Sequence, residues 1–288
     1  MFAPWRLESH SGAEVISLRQ LSPGERLRVV APSLFTTGNL ACGFSAVLFA
    51  FNHQTIAAAV VMTIAIVFDI LDGAVARLIG ATSPFGVQLD SLADLISFGL
   101  APAVLVYTWV LPEWPITAWF AAFIWLACAA FRLARFNFTI DPTADKKYFV
   151  GMPSPGAAAV VIATVFALAR PDVIGLEINV GPAILIPAII SVVPALLMIS
   201  TIRFRSFRSL VTPETPQARV TTAVTLLAVI LGLIFVPAAT GLAVAYSYVA
   251  TAPLGVITAP LRARIFGPDS VAPPRVRQQS VFLQLDGD

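Results

Sequence analysis

The sequence predicts an all-α protein that crosses a membrane several times. Of its 288 residues, 58% are hydrophobic and only 12% are charged, whereas a soluble domain carries roughly 25% charged residues. The mean hydropathy of +0.85 favours a chain that folds in lipid. Apolar stretches of about 20 residues, the length that a bilayer-spanning helix needs, recur along most of the chain.

Eight of these stretches are candidate transmembrane helices. They cover residues 34–52, 55–79, 91–111, 117–137, 156–170, 183–202, 220–236 and 239–258. The fifth is short and the eighth contains Pro253, while the second and third contain charged residues that lower their hydropathy. We therefore expect a polytopic integral membrane protein with about eight spans.

The basic residues support this topology. If the N-terminus is cytoplasmic, Arg170 is the one basic residue among 18 that falls on the outer side. The positive-inside rule then places both chain ends in the cytoplasm. We predict a cytoplasmic arm without a signal peptide at 1–30, a transmembrane domain at 31–258 and a cytoplasmic tail at 259–288.

The basic clusters and the two cysteines need no catalytic explanation. The clusters can act as topology determinants and as partners for anionic lipid headgroups, so we assign them no nucleic-acid role. Cys42 and Cys128 both lie in apolar stretches, outside any CxxC or Cys/His cluster. We interpret them as small apolar packing residues.

Four aspartates interrupt the apolar pattern between residues 68 and 95. Asp69, Asp72, Asp90 and Asp94 all lie within or beside predicted spans. An aspartate at the centre of a membrane helix costs about 2.5–3.5 kcal/mol, and four converging carboxylates would also repel one another. The fold must therefore either keep them protonated or neutralise them with cations.

Helical spacing places these aspartates on two surfaces that face each other. The first surface carries Asp69, Asp72, Gly73, Ala76 and Arg77, and the second carries Gly86, Asp90 and Asp94. Counted from Asp69, the other members of the first set follow at three, four, seven and eight positions, and the members of the second set are spaced by four, so each set shares one helix face. A short connection containing Pro84 makes the two helices antiparallel neighbours. We expect the two acidic faces to meet near the cytoplasmic end of both helices.

The composition of this acidic site indicates a particular kind of ligand. Carboxylates without histidine or thiolate partners suit Mg²⁺, Mn²⁺ or Ca²⁺ rather than zinc. Two divalent cations would balance four carboxylates, and two-metal sites are usual for displacement at phosphorus. Arg77 can form bidentate contacts with phosphate oxygens. The small residues beside the acids leave room for a bulky polar ligand.

Other interpretations of the same residues stay open. Gly73, Ala76 and Gly86 could simply permit close helix packing, and Arg77 could be a topology residue or the partner of an aspartate. Membrane-embedded acids could also form the relay of a cation transporter. Against that class, the acids lie near one membrane face, and the chain shows no inverted repeat.

The full pattern is D-x-x-D-G-x-x-A-R, eight residues, and then G-x-x-x-D-x-x-x-D. It resembles the signature of the CDP-alcohol phosphatidyltransferases, with every fixed position and spacing matched. The resemblance covers roughly residues 30–200. It implies a helical fold with six core spans, a homodimer, and an active site that opens to the cytoplasm. A bacterial inner membrane is the expected location.

The resemblance also implies roles for individual residues. Asp69, Asp72, Asp90 and Asp94 would be metal ligands, Asp94 would also be the general base, and Asn39, Asp72, Gly73, Ala76, Arg77 and Gly86 would line the CDP pocket. The expected cofactors are two divalent cations per site, Mg²⁺ or Mn²⁺, with Ca²⁺ as a non-productive occupant.

Three further segments resemble family members that use L-serine as the acceptor alcohol. They are LFTTGNLACGF at 34–44, FRLARFN at 131–137 and YFVGMPSP at 148–155. The implied reaction is CDP-diacylglycerol plus L-serine giving phosphatidylserine plus CMP. The residues expected to bind the serine carboxylate or the lipid phosphate are Arg132, Arg135, Asn137 and Ser154.

The choice of acceptor leaves alternatives. Glycerol 3-phosphate, inositol phosphate or choline would use the same catalytic faces, and the lipid donor could be an ether lipid. Arg132 and Arg135 could also do no more than flank the end of a span.

Overall fold

The computed structural model describes residues 23–79, 84–110, 114–138, 148–169, 185–205 and 216–266. Its α-helices are α1 (Pro23–Phe51), α2 (Thr55–Ile79), α3 (Pro84–Asp94), α4 (Ala101–Leu105), α5 (Pro115–Phe138), α6 (Ser154–Ala169), α7 (Leu185–Ile199), α8 (Pro216–Phe235) and α9 (Pro237–Phe266). Two π-helical segments flank α4, at Leu95–Leu100 and Val106–Val110. The all-α prediction is confirmed, with the addition of two short strands.

The helices identify an integral membrane protein that crosses the bilayer several times. Within the described residues, four stretches are long and apolar enough to cross: Leu34–Phe51, Thr55–Ala76, Phe85–Trp109 and Pro115–Asn137. Shorter apolar helices cover Ser154–Leu168, Ile190–Ile199 and Val220–Phe235. The first four predicted spans are thereby recovered, and the total of eight stays a prediction.

The third span differs from its predicted form. It begins at Pro84 instead of residue 91, and π-helical turns replace part of its regular α-helix. The early turns of α3 carry Gln88 and Asp90, so a hydropathy profile places the start of the span too late. Pro84 occupies the first helical position, where its missing N–H costs nothing.

Small residues let α1 pack closely against its neighbours. Helix α1 lies along α2 and also contacts α3 and the first π-helical segment. Ala46 on α1 and Ala58 and Ala59 on α2 are fully buried, and small side chains allow membrane helices to approach closely. Cys128 belongs to the buried core, and Cys42 is partly buried against the same core. Both positions agree with the interpretation of the cysteines as packing residues.

The strands β1 (Tyr148–Val150) and β2 (Arg203–Arg205) form a short antiparallel ribbon. Phe149 pairs with Phe204 at its centre. The ribbon joins the segment after α5 to the segment after α7, and α5 itself packs against α7. The ribbon was not predicted, because strands of three residues are too short to show an alternating pattern.

The last helix extends past the predicted end of the eighth span. Helix α9 continues to Phe266, beyond residue 258, and its regular path passes through Pro253 and Pro260. It packs against α6. The predicted arm is described only from Pro23 onward, and residues 267–288 of the predicted tail lie outside the described residues.

Candidate functional site

The predicted acidic faces meet in the structure. Asp69 on α2 and Asp90 and Asp94 on α3 each contribute one carboxylate oxygen to a cluster whose oxygen atoms lie within 4.8 Å of one another. Asp94 is buried, and the other two are half-buried. The four-residue spacing of Asp90 and Asp94 produces this convergence, because both side chains leave α3 on the same face.

Asp72 lies one helical turn after Asp69 and is buried. The hydroxyl of Thr36 on α1 donates a hydrogen bond to its Oδ2. Its Oδ1 is buried and has no hydrogen-bond partner among the described residues. A buried acceptor left without a partner costs about 1–3 kcal/mol, so this oxygen is well suited to a cation.

Asn39 connects α1 to the deepest acid of the cluster. Its Nδ2 donates to Oδ1 of Asp94 over 3.1 Å. The hydroxyl of Ser97 in turn donates to the main-chain carbonyl of Asn39 over 2.9 Å. All three residues are buried, so the orientation of the Asp94 carboxylate depends on α1 as well as on its own helix.

A π-helical segment begins directly after Asp94. Such segments occur frequently at functional sites because they change the direction of the following residues. The indole Nε1 of Trp125, on α5, donates to the carbonyl of Phe98 within the segment over 3.1 Å. This bond fixes the irregular turn against α5.

Arg132 on α5 faces the acidic cluster. Its positive charge interacts favourably with the carboxylates of Asp94 and Asp69. Its Nη1 donates to Oγ of Ser154 over 2.6 Å. Ser154 is fully buried at the start of α6. Arg132 therefore supplies a half-buried cation beside the acids, and its guanidinium is hydrogen-bonded to one serine hydroxyl.

The other residues predicted for the acceptor have different surroundings. Arg135 donates to main-chain carbonyls at the ends of β1 and α7. The amide of Asn137 donates to Oγ of Ser91 over 3.1 Å, next to Asp90 on α3. Of the four predicted acceptor residues, Arg132 interacts electrostatically with Asp94 and Asp69, and Ser154 contacts Arg132.

The predicted CDP-pocket residues occupy the ends of α2 and α3 and one turn of α1. Gly73, Ala76 and Gly86 are half-buried, and Asn39 is buried beside Asp94. The structure describes the backbone of Arg77 in α2 but not its side chain.

Sequence reasoning missed Thr36, Ser91, Ser97 and Trp125, which hold the predicted residues in place. One signal for Thr36 was available, because Thr36 and Asn39 are three residues apart on α1 and therefore share a face. The other three are uncharged residues in apolar helices, and only their contacts in the fold identify them.

The residues present fit a divalent cation. The donor atoms are carboxylate oxygens, which are hard ligands of the type preferred by Mg²⁺, Mn²⁺ and Ca²⁺. Asp69, Asp90 and Asp94 are close enough together to hold a metal ion. Oδ1 of Asp72 is one more buried oxygen without a hydrogen-bond partner among the described residues, and a cation could bind it.

The part of the chain that contains this site is similar to known proteins. The family model described as CDP-alcohol phosphatidyltransferase matches residues 29–193, more than half of the chain. The match includes all four aspartates, both α5 arginines and Ser154, whereas α8 and α9 lie outside it.

Three relatives illustrate the similarity. A CDP-diacylglycerol–serine O-phosphatidyltransferase from Mycobacterium leprae is 41% identical over 137 residues, covering 46% of this chain and 45% of that protein. A protein of the same name from Helicobacter pylori is 37% identical over 131 residues, covering 46% and 55%. An archaetidylserine synthase from Methanothermobacter thermautotrophicus is 37% identical over 135 residues, covering 46% and 56%. The chain spans about half the length of the curated relatives it matches.

Proposed function

The chain belongs to the CDP-alcohol phosphatidyltransferase family, and on that basis we propose that it transfers a phosphatidyl group from CDP-diacylglycerol to L-serine. The products are phosphatidylserine and CMP. The observation that carries the proposal is the convergence of Asp69, Asp90 and Asp94 within 4.8 Å, in a chain similar to proteins named for this reaction. The choice of serine rests on those names and on the segments at 131–137 and 148–155.

The four aspartates are proposed to hold two divalent cations, Mg²⁺ or Mn²⁺. When bound, such cations neutralise charge that develops on the diphosphate and orient the leaving phosphate. Asp69, Asp90 and Asp94 supply the closest set of oxygens, and Asp72 adds its unpaired Oδ1. Thr36 keeps the Asp72 carboxylate directed into the site by its hydrogen bond to Oδ2.

Asp94 is proposed as the general base. The serine hydroxyl oxygen forms a bond to the phosphorus that carries the lipid, the bond from that phosphorus to the CMP oxygen breaks, and the hydroxyl proton passes to the Asp94 carboxylate. Serine is a weak nucleophile at neutral pH, so removal of its proton as the new bond forms lowers the barrier. Asn39 holds Oδ1 of Asp94, which leaves Oδ2 for the proton.

The nucleotide is proposed to bind where α2 ends and α3 begins. Gly73 and Gly86 have no side chain and Ala76 has only a methyl group, so the diphosphate can approach the backbone closely. Arg77 is proposed to contact phosphate oxygens through its planar guanidinium. Asn39 and Asp72 complete the proposed pocket from its deeper side.

Arg132 is proposed to bind the anionic group of the acceptor, the serine carboxylate, or the lipid phosphate. Its side chain is half-buried and interacts electrostatically with Asp94, and charge-assisted hydrogen bonds are stronger than neutral ones. Ser154 and Asn137 shape the walls of the same pocket through their contacts with Arg132 and with Ser91. Arg135 is proposed to act indirectly, through the backbone carbonyls that it binds.

The substrates favour a site that opens at the cytoplasmic membrane surface. The donor's phosphates lie in the headgroup layer and L-serine is a cytosolic amino acid. We therefore propose a bacterial inner-membrane enzyme with both termini in the cytoplasm, working as a homodimer. An ether-lipid donor is the second candidate, favoured by the similarity to an archaetidylserine synthase.

The proposal is tested by CMP release from the full chain purified in detergent. CDP-diacylglycerol is supplied with Mg²⁺ or Mn²⁺, with and without L-serine, and with a chelator in a parallel sample. We expect release that needs both serine and metal, and its loss in Asp94→Asn. Gln88→Ala, on an exposed position of the same helix, is the control and should retain activity.

Each alternative has its own outcome in this assay. Release that needs another alcohol would keep the reaction type and replace serine as the acceptor. Release from an ether-lipid donor alone would change the donor. Folded protein that releases no CMP with any alcohol, but moves cations across liposomes, would overturn the proposal in favour of the transporter.

A further inference from the structure

A compact set of contacts lies directly behind Arg132 and Ser154. The chain after β1 turns sharply into α6, and two main-chain bonds fix this turn. The N–H of Gly151 donates to the carbonyl of Ile202 over 2.8 Å, and the N–H of Met152 donates to the carbonyl of Leu197 over 2.9 Å. The ribbon and the end of α7 thus hold the segment that leads to Ser154.

Arg135 closes this arrangement from α5. Its Nη2 donates to the carbonyls of Val150 at 2.7 Å and Met198 at 3.2 Å. Its Nη1 donates to the carbonyls of Ile199 at 3.0 Å and Ser200 at 3.3 Å. The last carbonyls of a helix have no partner within the helix, and one guanidinium satisfies several of them at the end of α7. The Arg135 guanidinium therefore donates hydrogen bonds to at least four main-chain carbonyls.

Gly151 shows how closely the parts fit. Its φ of +81° lies in the region that favours glycine. A Cβ added there would lie 2.3 Å from the carbonyl oxygen of Met198 and 2.7 Å from Nη2 of Arg135. No other residue type can occupy the turn without moving either the end of α7 or the arginine.

This assembly leads directly to the site. Ser154 begins α6 three residues after Gly151, is fully buried, and accepts the 2.6 Å hydrogen bond from Arg132. Arg132 and Arg135 are one helical turn apart on α5. One arginine faces the carboxylates, and the other holds the backbone that carries the first arginine's hydrogen-bond partner.

We infer that Arg135 is a positioning residue for the acceptor pocket: it fixes the Gly151–Ser154 segment, and through Ser154 it sets the position of the Arg132 guanidinium. The inference rests on the proposed function, in which Arg132 binds the anionic group of the acceptor. Lysine cannot replace Arg135, because a single ammonium lacks the planar fork that reaches carbonyls on both the ribbon and α7.

The test compares Arg135→Lys, Ser154→Ala and the double variant with the wild-type full chain. The measured quantities are kcat and the KM for L-serine and for CDP-diacylglycerol. We expect each single variant to raise the serine KM about tenfold, the effect of one charge-assisted hydrogen bond, with a much smaller change in kcat. Because both changes act through Arg132, the double variant should be no worse than the more affected single variant.

The matched control is Arg264→Lys. It makes the same substitution at an exposed arginine near the end of α9, and it should leave both KM values unchanged. A general loss of stability would lower kcat or the yield of folded protein in Arg135→Lys without raising the serine KM, and that result would overturn the inference.

Ser154→Ala keeps the question decidable if Arg135→Lys does not fold. It leaves every carbonyl contact of Arg135 in place and removes only the link to Arg132, so an unchanged serine KM in this variant also refutes the inference. Strictly additive effects in the double variant would do the same. If the wild-type protein uses another alcohol, the serine proposal fails separately, and the same comparison of KM values for that alcohol decides the role of Arg135.

Discussion

A methyl group added at Gly43 would collide with the backbone of the neighbouring helical segment. The new Cβ would lie 2.2 Å from Oγ, 2.7 Å from Cα and 2.9 Å from the main-chain nitrogen of Ser97. Ordinary contact begins at 3.4 Å. In Gly43→Ala, α1 and the first π-helical segment must therefore separate by about 0.7 Å, the difference between 3.4 and 2.7 Å.

Two opposing contributions set the size of the effect. Alanine is favoured over glycine within a helix by about 1 kcal/mol, whereas an extra carbon in a packed core costs about 1–3 kcal/mol. The obstructing atoms are main-chain atoms that cannot rotate away, so the cost belongs at the upper end of that range. We expect a net loss of about 1–2 kcal/mol in unfolding free energy.

The same separation should affect catalysis. It stretches the 2.9 Å bond from Ser97 to Asn39, and Asn39 holds the Asp94 carboxylate. A loss of about 1.4 kcal/mol in transition-state binding corresponds to a tenfold fall in rate. We therefore expect Gly43→Ala to lower kcat about tenfold. We expect it to lower the apparent unfolding temperature as well.

The assay pairs a thermal unfolding measurement in detergent with CMP release. Gly241→Ala is the matched control, because its new Cβ would meet Ala163 at 3.6 Å, an ordinary contact. The control should equal or exceed the wild-type stability. A Gly43→Ala protein that is as stable and as active as the control would refute the argument that backbone contact sets the spacing of α1.

Three further substitutions test other contacts of the site. Trp125→Phe removes the indole donor to the buried carbonyl of Phe98 and should lower the free energy of unfolding by about 1–3 kcal/mol. An unchanged unfolding temperature would contradict this role of Trp125. Asn39→Leu removes the donor to Asp94 and should lower kcat/KM about 10- to 100-fold. A much smaller fall in steady-state kinetics would contradict this role of Asn39. Asp72→Asn should raise the Mg²⁺ concentration for half-maximal activity at least about tenfold. An identical Mg²⁺ titration curve would contradict a ligand role for Asp72.

Spacing along the helices was enough to predict the acidic cluster. Asp90 and Asp94 are four residues apart on α3, and Asp69 lies on α2. Helical periodicity alone therefore predicts on which face of its helix each carboxylate lies. The partners of these acids could not be obtained in this way. Asn39 and Asp94 are 55 positions apart, and only the packing of α1 against α3 brings them together.

The two α5 arginines show the limit of periodicity more clearly. Arg132 and Arg135 are three residues apart and share a helix face, so the sequence gives them equivalent roles as acceptor ligands. Their side chains nevertheless reach in different directions, one toward the carboxylates and one toward the ribbon. The choice depends on β1 and β2, which are too short to be predicted from the pattern of apolar residues.

The origin of the four carboxylates links metal binding to folding. They come from two helices that are separate in the unfolded chain, so the proposed metal site is assembled only in the folded protein. A cation that binds only the folded state stabilises it by about 2.7 kcal/mol when its concentration is 100 times its Kd. If the proposed cations bind, we expect the unfolding temperature in detergent to rise with their concentration in the absence of substrate, and divalent cations to stabilise the protein during purification. On this proposal the acidic cluster contributes to the stability of the folded protein as well as to its chemistry.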